Sequence, residues 1–186
     1  DVKAKKLRRE GFVTGNLFGR EIEGSIPLKF TKKEIEVLLK NNNKGSQVML
    51  ELDGKTYDAL IKEVDYNPLA HTVEEVDFQA LVSNEMVHSV AEIILENEEM
   101  VVSGVLQDEL KEVAYKALPA DLVDKIKVDV AGMKIGDTLR VKDLEIAKNK
   151  NIHITTDLES VIATVTPVHN VVPEAETATE DAAEEK

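Results

Sequence analysis

Five cations in seven positions, Lys3, Lys5, Lys6, Arg8 and Arg9, stand near the start of this 186-residue chain, with Phe12, Phe18 and Arg20 close behind. Ammonium and guanidinium groups neutralise phosphates, arginine also forks to phosphate or guanine, and exposed aromatic rings stack on unpaired bases. The chemistry such a run could carry is therefore nucleic-acid binding. Basic termini are often only solvated, however, and by residue type Phe12 and Phe18 read first as core side chains and second as stacking platforms.

Other chemistries find little support in the residues. His71, His88, His153 and His169 are scattered, and the chain has no cysteine, so neither a zinc site nor a thiol nucleophile is expected. Glycines 11, 15 and 19 recur every fourth residue but lack the lysine and hydroxyl order of a phosphate loop. Acidic pairs such as Glu98-Glu99 read as solvated surface, because catalytic carboxylates need burial and opposed environments. No serine nucleophile elbow occurs. The expectation is a protein that is not an enzyme, with no cofactor, no metal and no small-molecule substrate.

The net charge of −13 argues against a uniformly basic nucleic-acid binder, yet its distribution along the chain is uneven. Residues 1–20 hold six cations and two carboxylates, a net of +4. Residues 1–80 hold 13 cations and 14 acids, residues 81–172 hold 9 and 16, and residues 173–186 hold one cation and six acids. Six of the seven aromatic residues also precede residue 80. Fields act over about 8 Å at physiological salt, so the local sign matters more than the total. Two compositions in one chain predict two domains with different tasks.

The elements that must position the basic run follow from hydrophobic spacing. Ile22 to Phe30 reads as extended, and Thr31-Lys32-Lys33-Glu34 matches a capping box ahead of a helix carrying Ile35, Leu38 and Leu39 on one face. Val48, Leu50 and Leu52 alternate up to Asp53-Gly54, with Tyr57, Ala59 and Ile61 alternating after it, the pattern of a tight hairpin. Asn67-Pro68 reads as a turn, and Val76, Phe78 and Ala80 share one face of a further strand. A small antiparallel barrel or curled sheet with one helix is expected here. From Val87 onward short strand-like runs, near 113–118, 126–130, 138–141 and 161–165, predict a second β-rich module. The predicted domains are 1–82 and 83–168, with an acidic tail, 169–186, too poor in large apolar residues to offset its ordering entropy. The fold class is mainly β within α+β. No membrane span or signal peptide is visible, the absence of cysteine fits a cytoplasmic setting, and a start at Asp1 leaves sequence upstream of it open.

Taken in order, Leu7-Arg8-Arg9-Glu10-Gly11, Leu17-Phe18-Gly19, Lys62 to Pro68 and Val76-Asp77-Phe78 resemble the bacterial ribosomal proteins that bind 5S ribosomal RNA, in the two-domain form of the general stress protein Ctc. Gly104-Val105-Leu106, Leu118 to Leu122 and Ile135 to Leu139 resemble that family's C-terminal β-domain. The resemblance implies a structural constituent of the large ribosomal subunit, ribosome-associated in the cytoplasm, whose N-terminal barrel docks on the loop E region of 5S RNA. By motif position Lys5, Lys6, Arg8 and Arg9 would contact the RNA backbone, with Lys3 and Arg20 in the same basic segment. Phe18 would occupy the place of an RNA-facing tyrosine, and Asp77 would accept from base or ribose donors. Neighbouring large-subunit proteins or rRNA would meet the C-terminal domain. Three departures stand out: Phe18 lacks the tyrosine hydroxyl, Glu75 replaces a histidine, and Val13-Thr14-Gly15 replaces a more rigid loop. The contrasting reading is a stress-related protein-interaction module that acts through the acidic C-terminal domain.

Overall fold

The computed structural model describes residues 3–101 and 104–167. The predicted acidic tail and His169 lie outside the described residues. Two aliphatic cores organise the chain. The first gathers Val13, Leu17, Leu28, Ile35, Val48, Leu50, Ala59, Ile61, Val76 and Phe78; the second is built around Ala91, Val113, Tyr115, Ile126, Val141 and Ile162.

The first core lies under a five-stranded sheet in the order β2-β1-β5-β4-β3. Its strands are β1 (Phe12–Phe18), β2 (Ser25–Thr31), β3 (Gln47–Leu52), β4 (Lys55–Asn67) and β5 (Thr72–Ala80). Neighbours pair antiparallel, as expected, except β1 and β5, which run parallel. Gly15 makes that parallel pairing possible, because a Cβ there would fall on the Val76 carbonyl oxygen. The periodic glycines thus include a site of close strand approach, which accounts for a spacing unlike that of a phosphate loop.

The helix α2 (Lys32–Asn41) carries the capping box read from the sequence: Glu34 N–H donates to Thr31 Oγ1 at 3.3 Å, and Thr31 N–H donates to Glu34 Oε2 at 2.7 Å. The Thr31 N–H and hydroxyl, both donating to Glu34 Oε2, hold the Glu34 carboxyl below the ordinary carboxylate range. Ile35 on this helix is buried against the sheet. The Asp53-Gly54 turn has positive φ at both residues, 49° and 77°, as the primed hairpin turn requires.

A short helix, α1 (Ala4–Arg9), holds the basic run, and the segment 12–18 behind it forms β1; neither element was expected from sequence spacing. The second core is flanked by two sheets: β11-β8-β6-β9 and β10-β12-β7. The first comprises β6 (Val87–Glu96), β8 (Glu112–Ala117), β9 (Lys125–Asp129) and β11 (His153–Ile154); the second comprises β7 (Gly104–Asp108), β10 (Thr138–Arg140) and β12 (Val161–Pro167). Tyr115 anchors the interior: its hydroxyl donates to the Val123 carbonyl at 2.6 Å and accepts from the Val123 N–H at 2.7 Å. Burial raises the pKa of this phenol, so it stays a neutral donor. Among the described residues no helix is long and apolar enough to cross a membrane.

Candidate nucleic-acid interface

Alternation along β1 and β5 assigns the two faces of the first sheet. Val13, Leu17, Val76 and Phe78 point into the core, so Phe12, Thr14, Asn16 and Phe18 on β1 and Glu75, Asp77 and Gln79 on β5 share the outer face. The register places Thr14 beside Glu75 and Phe18 beside Gln79. Helix α1 packs against β1, and the ion pair of Arg8 Nη1 with Glu75 Oε2 at 3.4 Å ties it to the outer face.

The basic helix therefore stands at the edge of a patterned surface. Lys3, Lys5 and Arg9 are exposed and take no ion-pair partner among the described residues. Lys5, Arg8, Arg9 and Glu74 line an open depression of about 470 Å³. Lys6 pairs with Glu10 at 3.8 Å and Arg8 with Glu75, so these two cations are partly neutralised in place. Arg20 is set apart. It follows the far end of β1, roughly 20 Å from the helix at 3.3–3.4 Å per residue, and pairs with Glu85 at 3.6 Å.

Phe18 is half-buried on the outer face. Asp77, also half-buried, accepts from the Asn16 N–H at 3.0 Å and from Asn16 Nδ2 at 3.3 Å, both on Oδ1. Its second oxygen takes no partner among the described residues. Glu75 Oε1 accepts from Asn16 Nδ2 at 3.5 Å, which makes Asn16 the hinge of a small polar network that sequence reading missed. Lys29 is a second missed group; its ammonium sits 3.7 Å from the Phe12 ring centroid, a cation–π contact.

Register also brings four carboxylates together, Glu63 opposite Asp77 and Asp65 opposite Glu75, around a depression of about 280 Å³. An ionised carboxylate only accepts hydrogen bonds. This part of the face can receive base amino or ribose hydroxyl donors but repels phosphate, which the cations of α1 attract. Backbone attraction and donor reading are thus separated along one surface.

Two family descriptions match the chain: the Ribosomal L25p family over residues 1–78 and the C-terminal domain of ribosomal protein TL5 over residues 86–169. The large ribosomal subunit protein bL25 of Carboxydothermus hydrogenoformans is 33% identical over 181 residues, covering 96% of this chain and 89% of that protein. The bL25 protein of Akkermansia muciniphila is 30% identical over 185 residues, covering 98% and 90%. That of Caldicellulosiruptor saccharolyticus is 32% identical over 174 residues, covering 92% and 84%.

Proposed function

Because this chain belongs to the bL25 family of large ribosomal subunit proteins, we propose that it serves that subunit as a structural, non-catalytic RNA-binding protein whose N-terminal domain grips 5S ribosomal RNA at its loop E region. The domains assigned to this work are residues 1–82 for RNA and 83–168 for neighbouring subunit protein or rRNA, with residues 169–186 as an acidic tail. Lys3, Lys5 and Arg9 provide the first phosphate contacts. Lys6 and Arg8 join them by exchanging Glu10 and Glu75 for phosphate. Phe18 offers a ring face for an unpaired base, and the free oxygen of Asp77 accepts from a base or ribose donor. Arg20 meets the RNA at the opposite end of β1.

One observation carries this reading: unpaired cations on α1 are held beside the donor-reading outer face, at the one strongly basic end of a chain of net charge −13. The test is titration of 5S RNA with the full chain over a range of salt. The logarithm of the binding constant is expected to fall with log salt by roughly 0.7–0.9 per neutralised phosphate. Arg9→Ala is expected to weaken binding more than Arg8→Ala, because Arg8 already has a carboxylate partner. A flat salt response, or equal affinity for RNA lacking loop E, would overturn the proposal.

A further inference from the structure

The two cores meet at a cleft of about 280 Å³ whose lining includes Lys44, Leu60, Lys62, Glu63, His88 and Val90. Lys62 Nζ donates to the His88 carbonyl at 2.7 Å, and Ser46 Oγ donates to Asp124 Oδ2 at 3.0 Å, fastening the first sheet to the second. Asn43 Nδ2 donates to Glu92 at the same junction. Leu60 lies opposite Gln79 on the outer face of the first sheet, yet it is fully buried. The second domain therefore covers the end of the face that α1 and Asp77 occupy.

Register then lines up basic side chains. On the outer side of the second domain's sheet His88 pairs across to Lys116, and Lys116 to His153, a row of three on adjacent strands about 4.8 Å apart. Partial desolvation first, then Lys116 and Lys62, depress the His88 pKa, so these groups share one field. Lys44 also lowers the pKa of Lys62, after desolvation. Among the described residues Lys44, Lys62 and Lys116 form no ion pair. Glu92 and Asp124 keep their negative charge at the junction while accepting hydrogen bonds from Asn43 and Ser46, and Glu63 is the carboxylate lining the cleft itself.

Three unpaired lysines clustered with two histidines are costly in mutual repulsion and fit an anion. Glu63 lines both this cleft and the carboxylate depression on the outer face, so the cleft continues the proposed RNA surface. We propose that Lys44, Lys62, Lys116 and the histidine row form a second phosphate-backbone contact at the domain junction, which the same RNA reaches after crossing the outer face from α1. This inference rests on the RNA-binding reading above. It gives the second domain a direct part in RNA affinity through Lys116 and His153.

The experiment titrates a 5S RNA transcript with the full chain and with Lys44→Gln/Lys116→Gln, over a range of salt. Lys62 is left in place because it holds the domains together. The double variant is expected to lower the salt slope by roughly 1.4–1.8 and to bind several-fold more weakly. Lys44→Arg/Lys116→Arg should restore the slope with thermal unfolding unchanged, and the glutamine variant should unfold at the parent temperature or above it, because mutual repulsion is relieved. If the glutamine variant keeps the parent slope while Arg9→Ala lowers it, the junction contact is wrong and the α1 reading stands. If the parent chain shows no salt-dependent binding, both fall.

Discussion

Replacing Glu75 by glutamine probes the balance between attraction and repulsion on the outer face. Glu75 accepts from Arg8 at 3.4 Å and from Asn16 Nδ2 at 3.5 Å, and both side chains of the ion pair retain about a third of their exposure, 31% and 35%. Such a half-exposed pair contributes at most about 1 kcal/mol, and this is what a phosphate must displace to reach Arg8. A carboxylate left about 6 Å from that phosphate adds roughly 0.7 kcal/mol of repulsion in water-like dielectric. Removing both terms should strengthen 5S RNA binding by roughly 0.7–1.7 kcal/mol, about a three- to eighteenfold lower Kd. Arg8 reaches the same phosphate in both chains, so the salt slope should keep its parent value, roughly 0.7–0.9 for each neutralised phosphate. Glutamine keeps the shape and an acceptor for Asn16, so the loss of stability should stay within about 1 kcal/mol, the most the ion pair contributes. Fluorescence anisotropy with labelled RNA across a salt series reads both quantities. If Glu75→Gln binds more weakly with the fold intact, Glu75 itself accepts from the RNA and the electrostatic argument is refuted.

Gly45→Ala should destabilise by roughly 2–4 kcal/mol, because Gly45 has φ +91° and an added Cβ would strike the Val90 carbonyl of the second domain; an unchanged melting temperature would refute this. Tyr115→Phe leaves the Val123 N–H and carbonyl without their partner and should cost about 1–3 kcal/mol, read by urea denaturation, while RNA affinity stays at the parent value. Lys116→Gln should raise the His88 pKa toward its ordinary 6.5, followed by NMR of the imidazole protons, since desolvation and two lysines hold it down. In the parent chain the unfolded state takes that proton first. His88 should therefore subtract stability as pH falls through about 6.5 toward its depressed folded value, and contribute nothing above.

Elements whose side-chain period was uninterrupted were legible in the chain itself. The capping box at Thr31 and Glu34 and the Asp53-Gly54 hairpin join residues near one another in the chain, and the alternation of Val76 and Phe78 marks their shared inward face, so spacing records all three. Strand β1 was hidden because Gly15 breaks the apolar alternation of Val13 and Leu17, and a glycine carries no hydropathy signal for a buried position. Helix α1 was hidden because it buries none of its residues and so has no apolar stripe to read. For the candidate interface, the cations and the ordered family motifs were visible, and so was the anomaly of Glu75.

Composition and local pattern alone determined the basic start, the acidic second half, the aliphatic cores and the family. Tertiary structure decided which of the cations are free. Arg8 meets a carboxylate 67 residues away, Arg20 is carried to the far end of a strand, and Lys44, Lys62 and Lys116 gather from three separate segments. The physical reason is that electrostatic interaction depends on distance in space and on exposure to water, and both are set by strand register and domain docking, which no window of sequence contains.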